Sequence, residues 1–271
     1  MARHDASWPI CADLRASAGE MAIEKTRHAR SGTSEILMSA SYFLSPHVHV
    51  CVAGKQVVLL DLERDKYLSM AYAHPIGRWV RGWPVPASDS AVESDAENRL
   101  LAKMIEQGLL VKDASRGKEA SPVVAEPPKF AMIEHDLNSR PRTTLAQLWR
   151  VCVAYTSAKW ALKRRPIKEV VQAARLRKKR GPAASTLDAG TLRPLVTAFA
   201  HLRPLFYTAK DACLLDSLTL VNFLAGYDFF PQWVFGVKTD PFYAHCWVQQ
   251  QDFVFNDTPD YVRGFSPILV V

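Results

Sequence analysis

The hydrophobic pattern changes period near the C-terminal end of the chain, and this change constrains the fold more than any other feature. After Thr208-Ala209-Lys210-Asp211, which resembles an N-terminal capping box, apolar residues recur at helical spacing until Gly226. They are Leu214, Leu215, Leu218, Val221 and Leu224. Strand-like runs follow at 232–237, 242–249 and 253–256. A helix ahead of short antiparallel strands predicts an α+β domain.

Further helical patterns precede this helix, at 143–162, 167–177 and 188–206. Ahead of them, residues 114–128 contain several prolines, charges and small side chains, and almost no large apolar ones. This composition indicates a linker. We therefore predict a linker at 113–140 and a domain at 141–271 that begins with a layer of helices.

Residues 41–112 carry the pattern of a smaller module. Its predicted strands lie at 47–51, 56–60 and 66–70. The turn Ala53-Gly54-Lys55 joins the first two as a hairpin. A helix is predicted over 73–81, and a second one is opened by the acidic stretch 88–97 and ended by Gly108. Strands and helices in this order predict a winged-helix-like module.

Composition narrows the class of protein. The 271 residues contain no run of eighteen or more uncharged apolar residues, so we expect no membrane span. Five cysteines, an odd number without CxxC spacing, favour a reduced, cytoplasmic setting. No GxxxxGK[ST] phosphate loop is present, so neither ATP nor another cofactor is expected in this chain. Residues 1–40 are polar, lack the order of a secretory signal and are expected to be a disordered extension.

The net charge of +7 comes partly from one basic cluster beyond the predicted linker. Its members are Lys163, Arg164, Arg165, Lys168, Arg175, Arg177, Lys178, Lys179 and Arg180. A solvated helix face explains such a cluster, and so does a docking surface for an acidic partner.

Cys213 is the candidate nucleophile because it lies at the start of the predicted helix after 208–211. Unpaired backbone N–H groups and the positive end of the helix dipole favour a thiolate over a thiol at such a position. An isolated cysteine there is also compatible with a buried structural thiol. The residues that follow in the sequence favour the nucleophile.

His245 and Asp257 are the candidate partners of Cys213. Strand alternation places His245 on one face with Tyr243 and Trp247, while Cys246 faces the other way and is predicted to be a core residue. Asp257 comes one strand later, in register to meet a ring nitrogen of His245. Cysteine peptidase chemistry requires a group that deprotonates the thiol and later protonates the leaving amine. A cysteine on a helix, followed by a histidine and an aspartate on adjacent strands, provides these groups.

The sequence at these positions resembles the transglutaminase-like core of the lasso peptide biosynthesis B proteins. The resemblance rests on Cys213-Leu214-Leu215-Asp216-Ser217-Leu218-Thr219-Leu220, on Pro241-Phe242-Tyr243-Ala244-His245-Cys246-Trp247-Val248 and on Asn256-Asp257. It implies a papain/transglutaminase-like cysteine peptidase with Cys213 as nucleophile, His245 as base and then acid, and Asp257 as the residue that orients it. The implied reaction frees the core of a ribosomally made precursor peptide from its leader. A separate ATP-dependent lasso cyclase would then close the ring.

The module at 41–112 resembles the winged-helix element with which such proteins hold the leader of the precursor. A leader added as an extended strand against 66–70 would receive backbone hydrogen bonds from the strand and specificity from side-chain pockets. The candidate leader-binding residues are Tyr67, Leu68, Met70, Leu100 and Met104. The spacing of Leu100 and Met104 also fits ordinary core positions of an amphipathic helix.

Other functions compete with this hypothesis. A winged helix in a basic protein is compatible with nucleic-acid binding, but Glu93, Asp95, Glu97 and Glu106 offset the positive charges of the second predicted helix, so no nucleic-acid partner is expected. His47, His49 and Cys51 share one strand face, although their spacing is too wide for one zinc ion, and no metal is expected. Acyl transfer to an amine by the same three residues stays open.

Overall fold

The computed structural model describes residues 42–71, 75–84, 95–133, 143–181, 189–208 and 212–271. The predicted extension at 1–40 lies outside the described residues, as do parts of the predicted linker. The described chain has a mixed α/β fold with a small N-terminal sheet and a larger C-terminal sheet. Among the described residues, no helix is both long enough and apolar enough to cross a bilayer.

The N-terminal sheet has the strand order β2-β3-β4 and is antiparallel throughout. Its strands are β2 (Val48–Ala53), β3 (Gln56–Asp61) and β4 (Lys66–Ala71), which differ from the predicted strands by one or two residues. Gly54 turns the first hairpin with φ +56°, a left-handed conformation that favours glycine. A separate two-stranded pair joins β1 (Phe43–Leu44) to β5 (Leu110–Val111).

One helix of this half is shorter than the sequence predicts. The helix predicted over 73–81 is wrong in the described part, where only a 3₁₀ turn forms at Pro75–Arg78. The backbone of Tyr42 pairs with Trp79 and Arg81, and these hydrogen bonds take the groups that a longer helix would need. The helix α1 covers Asp95–Glu106, and Gly108 ends it with φ +67°, as predicted.

The N-terminal sheet is covered on both faces. Val48, Val50, Val57 and Leu59 pack against α1 in one apolar cluster. The opposite face belongs to the core of the C-terminal half, where its residues join side chains of later helices and strands. These residues are Cys51, Ala53, Val58 and Leu60. The two halves therefore share a continuous core.

The C-terminal half consists of helices packed on a five-stranded sheet of order β10-β7-β8-β9-β6. The helices are α2 (Leu145–Arg164), α3 (Ile167–Arg180), α4 (Ala189–Leu202), α5 (Cys213–Ala225) and the short α6 (Pro259–Val262). The strands are β6 (Phe130–Ala131), β7 (Gln232–Thr239), β8 (Phe242–Gln250), β9 (Phe253–Val254) and β10 (Ser266–Val270). Helix α5 packs against both α2 and β8, which places it at the centre of this half.

Two of these strands lie where the sequence predicts none. Strand β6 falls in the segment predicted as a linker, and it pairs parallel with β9 while Phe130 contacts Phe253. Strand β10 pairs antiparallel with β7 near the end of the chain. Both are held by partners that are distant in sequence, and no local period in a two-residue or five-residue strand reports such a partner.

Candidate active site

Helix α5 begins at Cys213, which makes this cysteine its first helical residue. The capping box predicted at 208–211 does not form the helix start: the N-cap is Ala212, which has no side-chain cap hydrogen bond, and 209–211 lie outside the described residues. The first intrahelical bond runs from Asp216 N to Ala212 O at 2.8 Å. The N–H groups ahead of it have no acceptor within the helix and point toward the Cys213 end. This is a suitable place to stabilise an oxyanion.

His245 and Asp257 are in direct contact. The Nε2 atom of His245 lies 2.6 Å from Oδ2 of Asp257, and Oδ1 of Asp257 accepts a hydrogen bond of 2.8 Å from the backbone N–H of Thr258. Both side chains are mostly shielded, with exposures of 11% and 20%. Because Nε2 is engaged, Nδ1 is the ring nitrogen left to take a proton from a nucleophile.

Aromatic rings hold the imidazole of His245 in place. The ring centroids of Tyr261 and Phe265 lie 5.2 and 5.3 Å from that of His245, and Trp247 stacks beside it on the same strand face. Gly236 pairs with His245 in the register of β7 and β8. A Cβ atom at Gly236 would come within 2.8 Å of the Trp247 ring, so glycine is needed for this packing.

Cys246 lies on the opposite face of β8 from His245, as strand alternation predicts. It is fully buried, and its Sγ accepts a hydrogen bond from Ser217 Oγ at 3.3 Å. Burial raises the pKa of Cys246 to about 12, so this sulfur remains a thiol near neutral pH. Its Sγ lies 3.7 Å from Sγ of Cys213, so the start of α5 contacts β8 on the side that carries Cys246, next in sequence to His245.

The cysteines differ in oxidation state. Cys51, Cys152 and Cys246 are free, whereas the sulfur of Cys213 is disulfide-bonded in this structure. A disulfide sulfur carries no thiolate, so nucleophilic chemistry at Cys213 requires its reduction first.

A hydrogen-bond network that the sequence analysis missed ties α5 to the strand segment ahead of Asp257. The buried carboxylate of Asp216 accepts hydrogen bonds from Arg203 Nη1 at 3.0 Å, from Tyr207 OH at 2.9 Å and from Asn256 Nδ2 at 2.8 Å. The only sequence signal for it is a charged residue within the otherwise apolar or small residues of Cys213–Ala225.

The candidate leader-binding residues fall into two groups. Tyr67, Leu68 and Met70 lie on β4, an outer strand of its sheet whose only partner strand among the described residues is β3. Leu68 is 36% exposed, whereas Tyr67 packs toward the C-terminal half with its ring centroid 5.6 Å from that of Phe242. On α1, Leu100 is partly buried and Met104 is buried in the N-terminal core. Met104 therefore packs against the sheet as a core residue and has no exposed surface for a leader to contact.

The metal-site alternative receives no geometric support. His47 Nδ1 lies 3.3 Å from a carboxylate oxygen of Glu63, while His49 Nδ1 lies 3.3 Å from Lys118 Nζ. Burial, reinforced by the Lys118 charge, lowers the pKa of His49 to about 3. Within the described ranges, no group of three or more His, Cys, Asp or Glu side chains is arranged to hold a metal ion.

Comparison with known families agrees with the geometry of the C-terminal half. Residues 152–270 match the model of the transglutaminase-like superfamily. Over this span the chain is similar to transglutaminase-like domains. It contains Cys213, His245 and Asp257, and the superfamily supports a cysteine peptidase or acyltransferase type of function. The chain matches no curated protein and no solved structure.

Proposed function

We propose that the protein is a cysteine peptidase that binds a ribosomally made precursor peptide and cleaves its leader from the core during lasso peptide maturation. The contact between His245 Nε2 and Asp257 Oδ2 carries this proposal. His245 lies on β8, the strand that Cys213 contacts through Cys246. All of these residues lie within the span similar to transglutaminase-like domains. Closure of the ring would be left to a separate ATP-dependent cyclase.

The chemistry begins with reduced Cys213. Its thiol gives a proton to Nδ1 of His245, and the sulfur attacks the carbonyl carbon of the last leader residue. The N–H groups at the start of α5 stabilise the oxyanion that forms. His245 then protonates the amine of the core peptide, which leaves, and a thioester joins the leader to Cys213. Water, deprotonated by His245, hydrolyses the thioester and restores the thiol.

Asp257 prepares His245 to accept the first proton. A carboxylate on Nε2 fixes the neutral tautomer that carries its proton on Nε2, which leaves Nδ1 as an acceptor. The same carboxylate stabilises the imidazolium that exists between the two proton transfers. The rings of Tyr261 and Phe265 restrict rotation of the imidazole, so this geometry is prepared before the substrate arrives.

The outer edge of β4 is where we propose that the leader binds. An extended leader there would pair with the unpaired backbone groups of the strand. The contact of Tyr67 with Phe242 links this strand to the first residue of β8. His245 follows Phe242 by three residues, about 10 Å along the strand. A leader on β4 would thus lie near the strand that carries His245.

Cleavage of a precursor peptide by the reduced protein tests the proposed activity. The expected products are free leader and free core, identified by mass spectrometry, and Cys213→Ala should abolish both. Cys152→Ala is the matched control, because Cys152 is a free cysteine on α2 that plays no part in the proposed chemistry. Cleavage retained in Cys213→Ala would refute the nucleophile.

The same experiment separates hydrolysis from acyl transfer. A thioester at Cys213 is open to water and to an amine, and the superfamily contains both kinds of function. With a primary amine added, a leader joined to that amine would indicate transfer. Free leader alone would indicate a peptidase.

A further inference from the structure

Asp216 is a buried carboxylate one helical turn after Cys213. Its side chain is 3% exposed, and its two oxygens accept from Arg203, Tyr207 and Asn256. These donors come from three different segments: the 3₁₀ turn after α4, the residues that follow it, and the chain after β9. Through these hydrogen bonds, Asp216 anchors the beginning of α5 to the rest of the domain.

Asn256 connects the Asp216 hydrogen-bond network to Asp257. Its Nδ2 donates to Asp216, and its Oδ1 accepts from the backbone N–H of Val248 on β8 at 2.9 Å. It also directly precedes Asp257, which holds the His245 ring. A displacement of Asn256 thus moves Asp257 and the imidazole relative to α5.

The charges of this network are balanced. Arg203 Nη1 lies 3.0 Å from both oxygens of Asp216, so the buried carboxylate faces a guanidinium. Burial and the Asp216 charge raise the pKa of Tyr207, whose hydroxyl therefore remains a donor. A carboxylate held by an ion pair and two further hydrogen bonds has one geometry, since any rotation leaves a buried polar atom unsatisfied.

We propose that Asp216 and Asn256 are positioning residues that set the distance between the Cys213 thiol and Nδ1 of His245. Neither contacts the substrate; they act through α5 on one side and through Asp257 on the other. This inference rests on the proposed function, in which Cys213 and His245 exchange a proton.

Steady-state kinetics of Asn256→Ala and Asp216→Asn on the precursor peptide test the role. We expect kcat to fall at least about tenfold while KM stays within about twofold, because the network affects proton transfer and not leader binding. Asp61→Asn is the matched control. Asp61 is also a buried carboxylate paired with an arginine, Arg64, but it lies in the N-terminal sheet, and its kcat should equal that of the wild type.

A second readout does not depend on peptidase activity. The protein is first reduced, and Cys213 is then alkylated with iodoacetamide near neutral pH. The alkylation rate, followed by mass spectrometry, reports the thiolate fraction of Cys213. Alkylation should be at least about tenfold slower in Asn256→Ala than in the wild type and unchanged in Asp61→Asn. If the wild type alkylates rapidly but cleaves no precursor, the proposed function fails, and the alkylation rates alone decide the positioning role.

Denaturant unfolding of each variant identifies losses that come from instability. If Asp216→Asn does not fold, Asn256→Ala carries the test, because it keeps the Asp216 pair with Arg203. Unchanged kcat and alkylation in folded Asn256→Ala would overturn the proposal. Losses no larger than those of Asp61→Asn at equal stability would overturn it too.

Discussion

Asp257 determines which nitrogen of His245 is available for chemistry. It occupies Nε2 at 2.6 Å and is itself fixed by the N–H of Thr258. An amide at this position could donate a hydrogen bond to Nε2 and so favour the opposite tautomer, with the proton on Nδ1. The imidazole would then be unable to accept the thiol proton. The orientation of one carboxylate therefore controls the proposed proton transfer.

Asp257→Asn should accordingly reduce kcat by about 10² to 10⁴, as the loss of such a carboxylate does in related triads, with little change in KM. Asp252→Asn, at a partly exposed surface ion pair with Lys129, is the control and should leave kcat unchanged. Steady-state kinetics on the precursor decide the matter. A kcat within about twofold of the wild type in Asp257→Asn would contradict the assigned role.

The ionised side chain of Asp65 lowers the stability of the folded protein. It lies in the turn between β3 and β4 with φ +54°, and its Oδ1 is buried without a hydrogen-bond partner among the described residues. Burial raises the pKa of Asp65 from 3.8 to about 6. The unfolded chain therefore ionises first as the pH rises, and stability is lost between about pH 4 and pH 6.

Asp65→Asn should recover this loss, because asparagine has the same shape, no charge and a tolerance for left-handed backbone. The difference between the folded and unfolded pKa of Asp65 corresponds to about 3 kcal/mol, which partial exposure reduces to about 1–2 kcal/mol near neutral pH. Below about pH 4, where both states hold the proton, the gain should vanish. Urea unfolding at both pH values measures it, and an equal gain at each would contradict the explanation.

Strand β4, where we propose that the leader binds, is an outer strand of the N-terminal sheet and contacts β8 through Tyr67 and Phe242. The strict alternation at 47–51 and the short, turn-bounded runs at 56–60 and 66–70 were sufficient to predict the three strands. The contact of His245 with Asp257 follows similarly from strand register, whereas α5 begins at Cys213, later than the predicted capping box at 208–211. Asp216 was missed because its partners lie up to 40 residues away, where no local period reports them.

Leu68→Asp should raise KM for the precursor at least about tenfold without changing kcat, because it places a charge on the proposed leader surface. Leu68 is 36% exposed, so urea unfolding of the variant must show that it folds before its KM is compared. Val124→Asp makes the same chemical change at a side chain that is 89% exposed elsewhere, and it should alter neither constant. A KM unchanged in Leu68→Asp would place the leader elsewhere.

The two halves of the molecule depend on one another because they share a core. Cys51, Val58 and Leu60 of the N-terminal sheet belong to the same core as the C-terminal half, and β2 and β3 contact β10 directly. The resemblance found in the sequence concerns two successive modules, and sequence pattern alone does not reveal that a sheet of the first completes the core of the second. The proposed leader surface and the candidate active site therefore belong to halves that share one core.

Residues 141–271 expressed alone should therefore be less stable than the full chain. Removing β2 and β3 exposes the apolar side chains of β10 that face them, at about 25 cal/mol per Å² of exposed area. We expect a lower urea midpoint and increased binding of a hydrophobic dye. A midpoint equal to that of the full chain would show that the shared core contributes nothing.

The central claim is that Cys213, once reduced, carries the leader as a thioester. Mixing the reduced protein with precursor, quenching in acid and mapping the mass of each peptide tests it directly. We predict an adduct equal to the leader minus one water on the peptide that contains Cys213, and none on the peptide that contains Cys246. Cleavage that proceeds with the adduct on another residue, or unchanged in Cys213→Ala, would contradict the account.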